Sequence, residues 1–305
     1  MKSIKRILSL ILLGAMLMSL LTLTSCDRAE PEIIRDEKYT TYKNYSYGKN
    51  KRQVFDLCLP TGASGELGLV FYIHGGAWGS GDKDVHAGDI KTWAERGYAA
   101  ASLSYRYADG KITVDDILDD INSCLAAVLV LAAAEGVELT GVLLAGGSAG
   151  GHLAQIYAYK MYETAPIAPV AVVSYAGPAD LADENFYVAE GDLRNSLDKA
   201  LSNISGAKIK DGDYAPHKEK LAYASPITYV SEHSVPTLIC HGTLDDVVPV
   251  SNAYTLAKML EEHGVLYDLI IFENSGHGLE ADPECSERAN ALFIEYAEKY
   301  LARKK

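Results

Sequence analysis

The stretch Leu143-Leu144-Ala145-Gly146-Gly147-Ser148-Ala149-Gly150-Gly151 decides how this chain folds. It contains Gly-x-Ser-x-Gly between an apolar run and a stretch with helical periodicity. A strand that turns at once into a helix strains its serine, and this is tolerated only where the neighbouring residues carry little bulk. The turn presents the hydroxyl at a helix N-terminus, where N–H groups face a developing negative charge. We therefore predict Ser148 as a nucleophile and the N–H of Ala149 as an oxyanion donor.

A serine hydroxyl needs a base to remove its proton, so an acid and a histidine are expected later in the chain, in that order. Asp245 follows an apolar strand in His-Gly-Thr-Leu-Asp-Asp-Val-Val-Pro, and His277 follows the last predicted strand in Glu-Asn-Ser-Gly-His-Gly. Both positions belong to the edge of the sheet that carries Ser148. The sequence predicts a catalytic triad of Ser148, Asp245 and His277.

Two neighbouring residues compete for these roles. Asp246 is adjacent to Asp245, and either carboxylate is able to accept a hydrogen bond from the imidazole. We prefer Asp245, because Asp246 is expected to point away across the turn and to cap the helix near Val250. His241 ends its strand and is expected to make only a structural hydrogen bond.

Further oxyanion donors are predicted in Phe71-Tyr72-Ile73-His74-Gly75-Gly76-Ala77-Trp78, at the end of another strand. Two glycines allow the backbone to approach a substrate carbonyl closely. Gly75 and Gly76 are therefore predicted to donate together with Ala149. The loop is of the His-Gly-Gly-Gly type, with Ala77 in place of the third glycine.

Hydrophobic patterns along the chain predict an α/β fold. Residues 39–47, 53–59 and 67–73 are strand-like, and the short turns between them favour antiparallel neighbours. Strands and helices then alternate, which indicates a mainly parallel sheet with helices on both faces and an antiparallel N-terminal edge. The later strands are predicted at 99–105, 141–145, 170–175, 237–240 and 267–272. The helices are predicted at 84–96, 114–134, 149–161, 251–263 and 286–303.

Residues 178–229 interrupt this alternation, because they are polar and lack strand patterns. An unstructured loop of that length would be unusual, so short helices are expected, for example at 193–201. We interpret the segment as a small cap-like insertion over the carboxyl edge of the sheet, where such folds bind ligands.

Composition narrows the range of functions. With 305 residues and 48% hydrophobic content, the chain has enough apolar surface for one large domain. A net charge of −13 argues against a nucleic-acid partner. Four cysteines show no metal-ligand spacing. We expect buried free thiols, and the sequence leaves open whether two of them form a disulfide. They are Cys58, Cys124, Cys240 and Cys285. No metal or other cofactor is expected.

The N-terminal residues predict export and a lipid anchor. Residues 1–25 have a basic start and an apolar stretch, and Leu23-Thr24-Ser25-Cys26 resembles the bacterial lipobox, which implies cleavage before Cys26 and lipidation of its thiol. The alternatives are an ordinary signal peptide, or an uncleaved anchor helix, with an accidental cysteine. Residues 26–38 are predicted as a tether and 39–305 as the catalytic domain, located outside the cytoplasm on a bacterial membrane.

Several motifs together resemble bacterial carboxylesterases of the α/β-hydrolase superfamily. They are His-Gly-Gly-Ala-Trp with Gly81-Asp82-Lys83, Gly-Gly-Ser-Ala-Gly-Gly-His, Ala224-Ser225-Pro226 and His-Gly-Thr-Leu-Asp-Asp-Val-Val-Pro. The similarity is greatest to the feruloyl and acetyl-xylan esterase-like family, with hormone-sensitive-lipase-like esterases and kynurenine formamidases as neighbours. It extends over roughly residues 39–301. Ala77 departs from the lipase-like pattern, and His152 matches the family without a catalytic role that the residues explain.

The resemblance implies a serine carboxylesterase that forms an acyl-enzyme, with acetyl or feruloyl esters of carbohydrates as candidate substrates. Gly75, Gly76 and Ala149 would supply the oxyanion donors. Three alternatives stay open: a peptidase of the prolyl-oligopeptidase type, a formamidase or amidase, and a non-catalytic protein that binds a glycan or a partner.

Overall fold

The structure is a computed structural model that describes residues 29–188 and 190–301. One mixed sheet of nine strands forms the centre of the described chain, in the order β1-β2-β3-β5-β4-β6-β7-β8-β9. The strands are β1 (Glu32–Arg35), β2 (Tyr39–Ser46), β3 (Val54–Pro60), β4 (Gly65–Ile73), β5 (Ala99–Ser104), β6 (Val137–Gly147), β7 (Pro169–Tyr175), β8 (Thr237–Gly242) and β9 (Tyr267–Phe272). The pairs β1–β2, β2–β3 and β3–β5 are antiparallel, and the remaining pairs are parallel. The predicted fold class is confirmed.

Helices cover both faces of this sheet. In the described chain they are α1 (Ala87–Glu95), α2 (Val114–Ala134), α3 (Ala149–Lys160), α4 (Gly191–Ser205), α5 (Lys218–Tyr223), α6 (Ser251–Glu262) and α7 (Pro283–Tyr300). Buried side chains of α2, α3 and α6 form the core on one face, and those of α1 and α7 form the core on the other. The helix α2 has the length and hydropathy of a membrane span. Its buried residues Ile117, Ile121, Cys124 and Val128 follow helical spacing and belong to the core.

The predicted pairing of the third strand was wrong. Residues 67–73 were expected beside the preceding strand in antiparallel orientation, but β4 lies between β5 and β6 and is parallel to both. From Leu67 to Ile73 every residue of β4 is buried, which suits an interior strand covered on both faces. The strand β5, buried throughout, occupies the place next to β3. A short connection permits a hairpin but does not require one.

The predicted tether also contains a strand. Residues Glu32–Arg35 form β1, which pairs with β2 from Glu32 opposite Lys43 to Arg35 opposite Thr40. All four residues of β1 are exposed, and its two charged side chains suit an edge strand. The sheet therefore begins before residue 39. The predicted signal peptide and Cys26 lie outside the described residues.

The insertion at 178–229 follows β7 and is partly helical, as expected. The helix α4 includes the predicted residues 193–201, and Leu201 and Ile204 are buried in the core. Both ends of the insertion are fastened to the domain. Near its start, the N–H of Ala179 donates to Asn252 Oδ1 over 2.9 Å, and near its end the carbonyl oxygen of Ala224 lies 2.8 Å from His152 Nε2 on α3.

The four predicted thiols are free cysteines. Cys58, Cys124 and Cys240 are buried, and Cys285 is half-buried. Burial raises the pKa of the Cys58 thiol to about 11, so this thiol stays protonated.

The end of β4 packs directly against the turn between β6 and α3. A Cβ atom added to Gly150 would lie 2.0 Å from the carbonyl oxygen of Ile73, and one added to Gly146 would lie 2.6 Å from the same oxygen. A Cβ atom on Gly147 would meet its nearest neighbour, the Tyr175 carbonyl oxygen, at an ordinary 3.7 Å. The outer glycines of Gly-x-Ser-x-Gly are therefore required by backbone packing, and Gly147 is not.

We expect Gly150→Ala to reduce the free energy of unfolding by about 1–3 kcal/mol, because the added methyl group forces β4 and α3 apart. The matched variant Gly147→Ala should change it by less than about 0.5 kcal/mol. Urea denaturation of the two purified variants measures both values. Equal losses would contradict this account of the turn.

Candidate active site

Ser148 is the single residue between β6 and α3. Its backbone has φ 54° and ψ −125°, a conformation that a residue with a side chain adopts only under strain. The N–H of Ser148 donates to the carbonyl oxygen of Tyr175, at the end of β7, over 2.7 Å. The turn is thus held from the neighbouring strand, and the side chain lies at the carboxyl edge of the sheet.

The structure brings Ser148 together with the acid and the histidine predicted from the sequence. Asp245 follows β8, and His277 follows β9. His277 Nδ1 lies 2.8 Å from Asp245 Oδ2, and His277 Nε2 lies 2.9 Å from Ser148 Oγ. A carboxylate only accepts, so Nδ1–H donates to Asp245 and Nε2 is left to accept the serine proton. This arrangement activates a serine for attack.

Asp245 is an ionised carboxylate held in a buried position. Burial by itself raises its pKa, but hydrogen bonds from His241, His277 and the backbone N–H of Val248 outweigh burial and hold the pKa of Asp245 well below its usual range. Its Oδ1 accepts from the N–H groups of Val247 and Val248 over 2.9 and 2.8 Å. The negative charge needed to stabilise a protonated His277 is therefore fixed in place.

The rival carboxylate, Asp246, is exposed. Its predicted role as a helix cap was wrong, because α6 begins after Val250 without a side-chain capping hydrogen bond. Asp245 faces inward because its Oδ1 binds the following backbone N–H groups.

His241 makes the predicted structural hydrogen bond and one further contact. It is buried, and its Nε2 lies 2.9 Å from the carbonyl oxygen of Val248 and 3.3 Å from Asp245 Oδ2. The sequence did not predict the second contact. The sequence feature that could have predicted this contact is the spacing of four residues between His241 and Asp245 across a tight turn, which brings the two side chains together.

Residues 74–78, here called the oxyanion loop, continue β4 to a position beside Ser148. A Cβ atom on Gly75 would lie 3.5 Å from Ser148 Cβ. Within the described ranges, the N–H groups of Gly75, Gly76 and Ala149 make no turn or loop hydrogen bond to a backbone acceptor. These three predicted donors are available to a negatively charged oxygen of a ligand.

The oxyanion loop is strained after its glycines. Ala77 and Trp78 have φ of 48° and 58°, in the left-handed region. The N–H groups of Gly79 and Ser80 both donate to the carbonyl oxygen of Gly76, over 3.1 and 2.9 Å, and so close the turn. Ala77 therefore adopts the conformation that the missing third glycine would adopt easily.

His152, for which the sequence indicated no role, supports this loop from behind. The indole N–H of Trp78 donates to His152 Nδ1 over 3.1 Å, and His152 Nε2 donates to the carbonyl oxygen of Ala224 over 2.8 Å. Burial lowers the pKa of His152 to about 4, so the ring is neutral and able both to accept and to donate. His152 joins the oxyanion loop, α3 and the insertion.

The segment Gly81-Asp82-Lys83 fixes the chain after the loop. Lys83 is buried between Asp56 at 3.0 Å and Asp84 at 2.7 Å. Asp82 caps the short 3-10 helix Lys83–His86 by accepting from the N–H of Asp84 over 3.1 Å. The sequence pattern gave no signal for Asp56, which lies on β3.

Two clefts border the insertion. One of about 440 Å³ adjoins the acid of the triad and is lined mainly by apolar side chains and by Asp245 itself; among the lining residues are Phe186, Leu193, Leu197, Val247 and Pro249. The other, of about 730 Å³, lies between residues 109–111 and α4 and is lined mainly by polar side chains, among them Asp109, Lys111, Asn195, Ser202 and Asn203.

Comparisons with known proteins show which family and which fold the chain shares. The model of the family described as BD-FAE matches residues 55–260. The chain is 24% identical to a probable carboxylic ester hydrolase, LipM, of Mycobacterium tuberculosis, and 26% identical to a probable isoprenylcysteine alpha-carbonyl methylesterase, ICMEL1, of Oryza sativa subsp. japonica. These matches cover 79% and 76% of this chain but 56% and 55% of the relatives, so the chain spans about half the length of the curated relatives it matches.

A solved structure, the truncated form of a carbohydrate esterase from gut microbiota, shares the fold. It superposes with a TM-score of 0.70 at 21% identity, and the match covers 88% of this chain and 100% of that one.

The buried histidines should make stability depend on pH. Burial lowers the pKa of His74 and of His152 to about 4, whereas an unfolded chain protonates histidine near pH 6.5. The unfolded state therefore binds more protons between these values, and the free energy of unfolding should fall by about 1.4 kcal/mol per pH unit for each histidine as pH drops from 6.5 to 4.

His152→Gln should remove one histidine's share of this slope, which urea denaturation at pH 7 and pH 5 measures. Trp78→Phe is the matched control, because it removes the same hydrogen bond but keeps the buried imidazole; it should lower stability and keep the slope. An unchanged slope in His152→Gln would refute the assignment of this pH dependence to the buried ring of His152.

Proposed function

The chain belongs to the BD-FAE family of α/β-hydrolases, and we propose that it is a serine hydrolase that cleaves carboxylic esters. The observation that carries the proposal is the continuous hydrogen-bond chain from Asp245 through His277 to Ser148, with distances of 2.8 and 2.9 Å. It joins an ionised acid, an imidazole whose Nε2 accepts from the serine hydroxyl, and a serine at a strained turn. These are the parts that nucleophilic acyl transfer needs.

In the first half of the proposed reaction, Ser148 Oγ attacks the ester carbonyl carbon while His277 Nε2 takes the hydroxyl proton. Asp245 stabilises the imidazolium that results. The carbonyl oxygen becomes negative and is bound by the N–H groups of Gly75, Gly76 and Ala149, each contributing about 3 kcal/mol to the transition state.

The tetrahedral species then collapses. His277 Nε2 gives its proton to the leaving alkoxide, which departs as an alcohol, and the acyl group stays on Ser148 Oγ. Water attacks this acyl-enzyme while Nε2 takes a proton from it, and the second collapse releases a carboxylic acid and returns the proton to Ser148.

We assign the alcohol part of the substrate to a carbohydrate and the acyl part to an acetyl or feruloyl group. The apolar cleft next to Asp245 offers Phe186 and aliphatic side chains, which suit an aromatic or aliphatic group. The fold shared with a carbohydrate esterase agrees with this assignment.

Ser148→Ala should reduce kcat/KM for p-nitrophenyl acetate by about 10⁴- to 10⁶-fold without loss of folding, because no other group supplies the nucleophile. A fluorophosphonate probe should label the wild type at Ser148 and leave this variant unlabelled. The control is Ser196→Ala, on the exposed surface of α4, which should behave as the wild type.

The same assays separate the alternatives. Faster turnover of a dipeptide anilide or an N-formyl amide than of any ester would favour a peptidase or a formamidase. A wild type that is neither labelled nor active would favour the third alternative, a non-catalytic binding protein.

We further propose that the protein is anchored outside the cytoplasm by lipid on Cys26. Support comes from the basic and apolar residues that precede the tetrad Leu23-Thr24-Ser25-Cys26. Several acyl chains bury enough methylene groups, at about 0.8 kcal/mol each, to hold a protein at a membrane. An esterase anchored in this way would act on polymers that do not enter the cell.

Cys26→Ala should abolish incorporation of a labelled fatty acid during expression in a bacterial host, because the acceptor thiol is gone. Gel fluorography after membrane isolation measures the label. Cys285→Ala, at the half-buried thiol on α7, is the control and should keep it. Label retained in Cys26→Ala would refute the anchor.

A further inference from the structure

The ring of His74 makes a hydrogen bond with a backbone carbonyl of the oxyanion loop. The ring is buried and stacks on Tyr105 with centroids 4.2 Å apart and 9° between the planes. Its Nδ1 lies 2.7 Å from the carbonyl oxygen of Gly75. A carbonyl oxygen only accepts, so Nδ1 carries the ring proton and donates it to Gly75.

Arg52 faces the other nitrogen of the same ring. Arg52 Nη2 lies 3.5 Å from His74 Nε2. A guanidinium group bears protons on every nitrogen and a positive charge, so it repels a proton on Nε2 and favours a lone pair there. Burial, opposed by the Gly75 hydrogen bond and aided by the charge of Arg52, lowers the pKa of His74 to about 4. The ring is neutral, and both neighbours select the Nδ1–H tautomer.

Arg52 is itself held rigidly. Its Nε donates to the carbonyl oxygen of Tyr105 over 2.8 Å, and its Nη2 donates to that of Gly81 over 2.9 Å. The guanidinium carbon lies 3.7 Å from the centroid of the Tyr107 ring, and the hydroxyl of Tyr107 also donates to Gly81 O, over 2.7 Å. The side chain is 18% exposed. Its orientation toward His74 is therefore fixed by contacts on three sides.

The chain also closes tightly behind the loop at Gly81. A Cβ atom there would lie 2.5 Å from both Gly75 O and His74 Nδ1, and Gly81 has φ 91°. The space behind the His74–Gly75 pair admits no side chain at position 81, so the chain packs directly against this pair.

We propose that Arg52 is a positioning residue of the oxyanion hole and acts through the tautomer of His74. The carbonyl of Gly75 and the N–H of Gly76 belong to one peptide group, and in a trans peptide they point in opposite directions. Holding Gly75 O against His74 Nδ1 therefore fixes the direction of the Gly76 N–H. The inference rests on the proposed function, because the Gly76 N–H is a donor of the ester-hydrolysis mechanism.

Loss of Arg52 removes one of the two influences that select Nδ1–H, so the Nε2–H tautomer becomes populated. In the Nε2–H tautomer, lone pairs of His74 Nδ1 and Gly75 O would face each other at 2.7 Å and repel. The peptide group would turn away, and the Gly76 N–H would leave the oxyanion position.

The test compares Arg52→Met with Arg106→Met. Arg106 is a matched arginine: its side chain is 24% exposed, pairs with Asp120 at 2.8 Å and donates to the carbonyl oxygen of Asp116 over 2.9 Å, and among the described residues it has no hydrogen bond to His74. We expect Arg52→Met to lower kcat for p-nitrophenyl acetate by about 10²-fold, with KM changed less than about threefold. Fluorophosphonate labelling of Ser148 should slow in parallel, and Arg106→Met should alter only thermal stability.

A second measurement does not depend on catalysis. The ¹⁵N chemical shifts of the His74 ring, assigned with His74→Asn, should report the Nδ1–H tautomer in the wild type and a shift toward Nε2–H in Arg52→Met. An unchanged tautomer, or a kcat no lower than that of Arg106→Met, would overturn the proposal. If the wild type neither hydrolyses esters nor reacts with the probe, the proposed function is contradicted instead. The ¹⁵N shifts of the His74 ring would still show whether Arg52 controls its tautomer.

Discussion

Ser148 has a backbone φ of 54°, which costs energy in any residue with a side chain, so the surrounding structure must hold it there. Two contacts do so: the N–H of Ser148 binds the end of β7, and Gly150 packs against the carbonyl oxygen of Ile73 at the end of β4. The second contact also places the residues that continue β4. The strain of the nucleophile and the position of Gly75 beside it are consequences of the same close approach of two strand ends.

The electrostatics of the site depend on the ionised Asp245 and on two neutral buried histidines. Asp245 is kept ionised by hydrogen bonds despite its burial. His74 and His152 are kept neutral by burial, which lets each ring accept on one nitrogen and donate on the other. A protonated His152 could no longer accept from the Trp78 indole N–H, so the support of the oxyanion loop depends on a neutral ring. Desolvation of the supporting histidines therefore serves both packing and chemistry.

Much of this arrangement could be predicted from the sequence because it follows local rules. The strand β9 and the helix α2 have the predicted bounds, and the triad residues follow strand ends, where chemistry in such sheets is located. The pairing of β4 could not be predicted, because the order of strands depends on contacts far apart in the chain. The short exposed strand β1 has no alternating pattern. His152 and Arg52 act on partners that lie 74 and 22 residues away, respectively, and no motif indicates such contacts.

The way the insertion is fastened has a consequence for how this fold diversifies. It is held to the domain at its start by Asn252, which accepts from the Ala179 N–H, and at its end by His152, which binds the Ala224 carbonyl. The stretch between these fixed points contributes to the walls of both clefts but supplies none of the triad. A replacement for this stretch would have to keep these two contacts and the core positions of Leu201 and Ile204, and it would then alter the walls of both clefts without moving the triad.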